Sequence, residues 1–234
     1  MNGNTSMTAQ AERLSDAATL AIQWKSTDWN HAEAVVNRLQ ARIAKATQEK
    51  KWHTVKRLQY LLTHSYYAKL LAVRKVTTNK GKNTSGVDKE LWSTPASKMR
   101  AALSLSDKGY KAHPLRRVYI DKKGKKAKRP LGIPTMYDRA MQALYALALD
   151  PVSEVTADKH SFGFRKGRCA QDACEYAFSY FARKVSPEWV LEGDIKGCFD
   201  HISHNWLIEN IPMDKNVPQG TADTAGTGRR RYCP

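Results

Sequence analysis

The chain has 234 residues and carries 39 Lys and Arg against 22 Asp and Glu, a formal net charge of +17. A charge of this size predicts a polyanionic partner, most commonly nucleic acid, although a merely soluble basic protein can have the same composition. The length excludes more than one large domain or two small ones.

The N-terminal residues 1–27 form a polar leader. They contain no apolar core long enough for a signal peptide or a membrane span, which predicts a cytoplasmic protein. The four cysteines show neither Cys-x-x-Cys spacing nor the His pattern of a zinc site, so we expect free thiols in a reducing compartment. They are Cys169, Cys174, Cys198 and Cys233.

Two amphipathic helices are predicted between His31 and Lys75, with a joint at 48–51. Apolar residues recur at helical spacing in both, and the opposite faces are basic. Each basic side chain either contacts RNA phosphates or solvates its helix, and the set as a whole favours RNA. The set is Arg38, Arg42, Lys45, Lys56, Arg57, Lys69 and Arg74.

A polar segment with a glycine follows from Thr77 to Ser85 and predicts a loop. Its Lys80 and Lys82 suit contact with phosphates, although a plain linker is equally consistent with this composition. A short helix is expected around 99–103.

Residues 111–130 contain nine Lys or Arg and one acid, Asp121. A flexible loop of that composition would ordinarily be a solvated arm. Here the strand-like segments 115–120 and 129–133 flank Gly124, which is placed for a turn. The segment therefore predicts a basic β-hairpin that is able to close over phosphates.

Three further helices are predicted in the second half of the chain. Residues 139–155 are apolar enough for a core helix, and 172–184 form another, in which Phe178 and Phe181 are expected to pack rather than to stack on bases. Ser203 is a candidate N-cap for a helix that runs to Asn210.

The apolar run 189–195 predicts a buried strand that closes on Asp194. A carboxylate at the end of a buried strand costs desolvation unless it is paired or binds a cation. By itself the pattern leaves two readings open, a metal ligand such as one for Mg²⁺, or a turn or helix-capping residue.

Several segments in one order resemble the group II intron-encoded reverse transcriptase/maturase family. The resemblance covers about residues 28–216. The segments are Thr77 to Asp88 with its Asn-Lys-Gly and Gly-Val-Asp, Leu115 to Ile120 followed by Arg129 to Pro134, Met136 to Leu144, Ser161 to Arg168, and Trp189 to Asp200.

The resemblance implies an α+β fold with three regions after the leader. Residues 28–110 would be a helical N-terminal extension that binds RNA, and 111–210 the fingers and an incomplete palm with the first catalytic motif. Residues 211–234 would be a divergent tail. The implied partners are intron RNA, an RNA/DNA template-primer and deoxynucleotide triphosphates, with no membrane partner; the oligomeric state stays open.

The resemblance also implies the chemistry of the palm. Asp194 would be the catalytic carboxylate and a ligand of Mg²⁺, with the Ile195 carbonyl as a second oxygen, in a site where two ions stabilise the attacking and leaving oxygens. Phe199 would crowd the sugar 2′ position of the nucleotide, although its spacing alone favours an ordinary core residue. Asp200 would be a turn or capping residue.

In the implied fingers, Arg129 and either Lys122 or Lys123 approach the triphosphate. Asp121 stands where the family commonly has Pro, and an acid there slightly opposes phosphate. Lys166 likewise stands where the family usually has Pro, and Cys169 stands where it usually has Ser. Arg165 either braces the fingers or touches the template. The expected RNA-binding residues are Arg38, Arg42, Lys56, Arg57, Lys80, Lys82, Arg116, Arg117 and Arg165.

The family's second carboxylate motif, Tyr-x-Asp-Asp, does not occur in the sequence. The sequence follows the family to Lys215, then jumps to a later Val-Pro-Gln-Gly segment at 217–220 and continues as unrelated sequence. We therefore expect a truncated reverse transcriptase/maturase that binds RNA and is inactive alone, through an internal deletion with a shifted frame or an early stop. The alternatives are an intron RNA-binding module without catalysis and a non-functional pseudogene product.

Overall fold

The structure is a computed structural model that describes residues 16–121, 124, 128–186, 188–196 and 201–213. Residues 16–25 are helical, and Trp24 and Trp29 meet edge to face with ring centroids 5.0 Å apart. The helices that follow are α1 (Trp29–Gln48), α2 (Trp52–His64), α3 (Tyr66–Thr78), α4 (Pro95–Ser104), α5 (Met136–Thr156), α6 (Ala170–Phe181) and α7 (His204–Asn210).

Two strands, β1 (Arg116–Asp121) and β2 (Lys128–Ile133), pair antiparallel between α4 and α5. The combination of many helices with a small antiparallel sheet confirms the α+β class. The predicted hairpin and the predicted helices around 99–103 and 139–155 are confirmed, and Ser203 caps α7 by accepting a hydrogen bond from the Trp206 amide.

The prediction of one continuous helix up to Lys75 is wrong, because α2 and α3 are separate helices joined by Ser65. Ser65 has an extended backbone, φ −67° and ψ 130°, and ends one helix as it begins the next. Serine favours such positions because its hydroxyl competes with helical backbone hydrogen bonds. The apolar spacing continues across the break, which is why the sequence pattern did not reveal it.

Helix α5 is the centre of the core. It packs against α1, α2 and α3, while α4 packs on α3. Its buried Met136, Met141, Leu144 and Val152 join the apolar faces of these helices in one cluster. The core therefore draws on residues from both sides of the predicted 110/111 boundary.

Pro151 interrupts the hydrogen bonding of α5. A proline inside a helix has no N–H, so the carbonyl four residues earlier has no helical partner. That carbonyl belongs to Leu147, and the Gln40 side chain of α1 donates to it over 2.7 Å. Gln59 of α2 donates to the next carbonyl, that of Ala148, over 3.3 Å. Side chains of two neighbouring helices thus meet the backbone of α5 at the proline.

Two predictions for the C-terminal part are wrong. Residues 189–195 form no strand, and Trp189 and Leu191 are 91% and 96% exposed. A strand needs a partner for its backbone groups, and none of the described residues pairs with this segment. Phe178 and Phe181 of α6 are exposed instead of packed.

Two of the four cysteines, Cys169 and Cys174, are free and exposed, while Cys198 and Cys233 lie outside the described residues. No helix in the described part of the chain is both long and apolar enough to span a membrane.

Candidate nucleic-acid interface

The basic hairpin is regular, with Ile120 opposite Arg129 and Asp121 opposite Lys128. Gly124 takes the left-handed φ of +73° in the turn. Because side chains alternate between the faces of a strand, Arg129 shares a face with Val118, Ile120 and Leu131. Its planar guanidinium therefore lies on the more apolar side of the hairpin.

Arg117 and Tyr119 lie on the other face of the hairpin, where the guanidinium stands over the ring at 5.3 Å from its centroid. Lys128 and Asp121 form an ion pair at 3.7 Å on the same face. Both partners are well exposed, so this pair contributes little to stability. In β2 only Ile133 is buried, and the rest of the strand stands in solvent.

Arg139 fixes the 79–88 loop beside the base of the hairpin. Its guanidinium donates to the carbonyls of Pro134 and Gly81, both at 3.0 Å, and also to the carbonyl of Thr84. Burial lowers the pKa of Arg139; the nearby charge of Asp88 opposes this shift, and that of Arg116 adds to it. The cationic loop and the base of the hairpin therefore form one surface, which carries Lys80, Lys82 and Arg116.

Gly86 makes this docking possible. A Cβ at this position would lie 2.6 Å from the Cα of Thr135, closer than packed atoms tolerate. The glycine of the Gly-Val-Asp segment thus permits the loop backbone to lie directly against the start of α5.

Asp138 is a buried acid that anchors the segment preceding the hairpin through Tyr110 and His113. It is 2% exposed and accepts hydrogen bonds from the Thr135 hydroxyl at 2.7 Å, the Tyr110 hydroxyl at 2.9 Å and the His113 amide at 3.3 Å. Burial, and then the charge of Asp138, raise the pKa of Tyr110 above its ordinary value. Sequence reasoning gave Asp138 no role; its place in the first turn of an apolar helix was the available signal.

The helices α1 and α2 carry further exposed cations. Residues 50–87 contain nine Lys or Arg and no acid. On α2, Lys56 and Arg57 are exposed, and on α1, Arg38 and Arg42 are exposed one turn apart. These four predicted RNA-binding residues are thus all open to solvent.

Arg165 is placed differently from the other predicted RNA-binding residues. Its side chain is only 10% exposed and pairs with Glu154 at 2.6 Å, while Arg168 pairs with the other oxygen of Glu154 at 2.7 Å. These contacts, with the hydrogen bond from Arg165 first, lower the pKa of Glu154. Of the two roles predicted for Arg165, this geometry fits the bracing one.

The two predicted metal ligands, Asp194 and Ile195, lie next to each other in one exposed segment. Asp194 is exposed in a segment without helix or strand, and Ile195 is 73% exposed. No group of three His, Cys, Asp or Glu side chains is placed to hold a metal ion in that part of the chain. Lys122, Lys123 and Phe199 lie outside the described residues.

Two family models match the sequence. The N-terminal domain of reverse transcriptase matches residues 24–105, and reverse transcriptase (RNA-dependent DNA polymerase) matches residues 120–219.

Curated relatives point in the same direction. The group II intron-encoded protein LtrA of Lactococcus lactis subsp. cremoris is 37% identical over 74% of this chain and 28% of its own length. Protein YkfC of Escherichia coli is 29% identical over 76% of this chain and 48% of its own. An uncharacterized 91 kDa protein in the cob intron of Schizosaccharomyces pombe is 33% identical over 59% of this chain and 17% of its own. The chain thus spans less than half of the length of each of these relatives.

Proposed function

Because the chain belongs to the family of group II intron-encoded reverse transcriptases and maturases, we propose that it binds structured intron RNA through its helical N-terminal part and its basic hairpin. The observation that carries this proposal is the joining of the 79–88 loop to the base of the hairpin by Arg139. It gathers cations from two distant parts of the sequence onto one exposed surface.

We assign the regions of the chain the roles that the family resemblance implies. Residues 28–110 serve as the RNA-binding extension, and 111–210 supply the fingers and part of the palm. Positive charge on these parts favours polyanions because each phosphate contact releases condensed counterions. Arg116, Arg117 and the exposed cations of α1 and α2 extend the surface around Lys80 and Lys82.

The polymerase chemistry is the second part of the proposal. Reverse transcriptases as a family use divalent metal ions. Asp194 and the Ile195 carbonyl are our candidates for Mg²⁺ ligands. Arg129, with Lys122 or Lys123, is the candidate for the triphosphate, and Phe199 for the sugar. Since the Tyr-x-Asp-Asp motif that carries the family's other catalytic carboxylates does not occur in the sequence, we propose that the chain alone does not extend a primer.

Salt-titrated RNA binding tests the first part. The chain should prefer structured intron RNA over a random RNA of equal length, and the preference should persist at moderate salt. Replacing both Lys80 and Lys82 by Gln should reduce the slope of log affinity against log salt by about 0.7 to 0.9 for each phosphate that the variant no longer neutralises. Lys184→Gln, an exposed lysine distant in sequence from this surface, is the matched control and should leave the slope unchanged.

Primer extension with Mg²⁺ tests the second part. We expect no product from the chain alone. Extension that disappears with Asp194→Ala would show that the chain is a complete polymerase and would overturn the proposal. Equal and salt-sensitive binding to both RNAs, without extension, would instead reject the maturase-type role.

A further inference from the structure

A pocket with a volume of about 340 Å³ is lined by residues of α2 and α5, next to the exposed side chains of α2. Pockets that bind small ligands have volumes of roughly 300–1,000 Å³. Its wall includes Lys56, Gln59, Tyr60, Asp107 and Tyr145. We propose that this pocket receives one unpaired guanine base of a bound RNA, an inference that rests on the RNA binding proposed above.

The aromatic side chain at the pocket is held in place by a neighbour. Tyr60 is 57% exposed, and its ring stacks on that of His64 with centroids 3.9 Å apart and an interplanar angle of 25°. Proteins that recognise RNA commonly stack splayed bases on such rings. A Tyr ring that is both exposed and fixed in orientation is suited to this contact.

The polar groups of the pocket match the edge of guanine. The Asp107 side chain is 28% exposed and offers two acceptor oxygens. Guanine presents two adjacent donors, N1–H and the N2 amino group, which a carboxylate can accept together. Its O6 is an acceptor, and Lys56 supplies a donor in the lining of the pocket. Adenine, cytosine and uracil do not offer two adjacent donors.

Gln59 adds a buried acceptor that needs a partner. It is 3% exposed, its amide nitrogen donates to the carbonyl of Ala148, and its Oε1 accepts no hydrogen bond within the described structure. A buried acceptor without a donor is unfavourable, which marks Gln59 as the one strained polar contact among the described residues that line the pocket.

The charge around the pocket suits an RNA strand. Trp52, Lys56, Tyr60 and His64 follow one another at intervals of four residues along the exposed face of α2. Arg57 lies on the same exposed face, available to a phosphate. The negative charge of Asp107 is close to His64, whose Nε2 lies 3.5 Å from the carboxylate.

The test uses short RNA hairpins that are identical except for one unpaired loop nucleotide. The full chain should bind the guanosine loop about tenfold more tightly than the adenosine loop, as expected for one bidentate contact to a base edge. The inosine loop, which lacks the N2 amino group, should fall between them. Asp107→Asn should remove the preference for guanosine. Tyr60→Leu should weaken binding to every loop but not to a fully paired duplex.

Arg57→Gln is the matched control, because it removes a cation from the same helix without touching the pocket. It should weaken all the RNAs equally and keep the preference for guanosine. Equal affinity of the unaltered chain for guanosine and adenosine loops overturns the pocket while RNA binding stands. If the unaltered chain binds none of the RNAs, both proposals are overturned. Because the comparison of loops uses the unaltered chain, the proposal can still be rejected if the Asp107→Asn variant fails to fold.

Discussion

Gly86 is the residue at which the packing leaves the least room. Replacing it by Ala would place a Cβ 2.6 Å from the Cα of Thr135, in a contact between two backbones. Because neither backbone can move away easily, we expect Gly86→Ala to lower the free energy of unfolding by about 1–3 kcal/mol, the usual cost of overpacking. Urea denaturation measures this change.

Gly163→Ala is the control for that substitution. A Cβ at Gly163 meets nothing within 4 Å, so the free energy of unfolding should change by less than about 0.5 kcal/mol. Equal losses from the two substitutions would show that Gly86 is not constrained by its contact with Thr135.

Single residues differ in how well the sequence predicts their roles. Ser203 could be recognised as a cap because an N-cap bonds an amide only three residues away. The partners of Arg139 include the Gly81 carbonyl, 58 residues earlier in the chain. Since no local pattern reveals such a distant partner, the sequence did not predict the arginine that joins the loop to the hairpin.

At the scale of elements, Glu154 connects α5 to the segment that follows it. Arg165 and Arg168 both pair with its carboxylate. Glu154→Gln should therefore release the 157–168 segment, which hydrogen exchange would detect as faster exchange there. The rates in α1, on the other side of the core, should not change and serve as the internal reference.

The same contact makes a prediction for pH. The pKa of Glu154 is lowered from its ordinary value of 4.5, so the contact stabilises the fold above that pH and disappears as the pH falls through the lower, folded value. Once rates are corrected for the intrinsic slowing of amide exchange at acid pH, the protection of 157–168 should fall as the pH falls in the unaltered chain and depend less on pH in Glu154→Gln. An identical pH dependence in both would contradict this assignment.

Helices were predicted better than strands for a physical reason. The hydrogen bonds of a helix are local, so the apolar spacing of 139–155 was sufficient to predict α5. A strand depends on partners elsewhere, and the apolar run 189–195 has none among the described residues. The hairpin was the exception because both of its strands and its turn lie in one short segment.

At the scale of the whole molecule, apolar side chains cluster on the surface near the C-terminal end of the described chain. Trp189, Val190 and Leu191 are 91%, 69% and 96% exposed. Contiguous exposed apolar residues favour association. Val190→Thr combined with Leu191→Gln should therefore reduce self-association, measured by light scattering at increasing protein concentration.

Leu103→Gln is the control for that experiment. Leu103 is 55% exposed on α4, and an apolar residue that stands singly on a surface is ordinary. Its replacement should leave the association unchanged. If the double substitution also has no effect, the 189–191 segment does not mediate contacts between chains.

The fold class and the basic character of the chain could be predicted from the whole sequence, because charge and apolar periodicity are summed over many residues. The sequence did not predict that the two regions share one hydrophobic core. Motifs divide the chain near residue 110, whereas α5 buries its apolar face against helices from the other side of that division. The composition of two segments does not reveal that they pack against each other when they are far apart in the sequence.

The hydrogen bond from Gln40 to Leu147, beside Pro151, joins residues 107 positions apart. A growing chain therefore leaves the ribosome with α1 in solvent well before α5 emerges to receive it. At roughly 5–20 residues per second, that interval is about 5 to 20 s. During synthesis the apolar surface of the early helices that α5 covers therefore stays exposed, and at this nascent stage we expect the chain to depend most on chaperones.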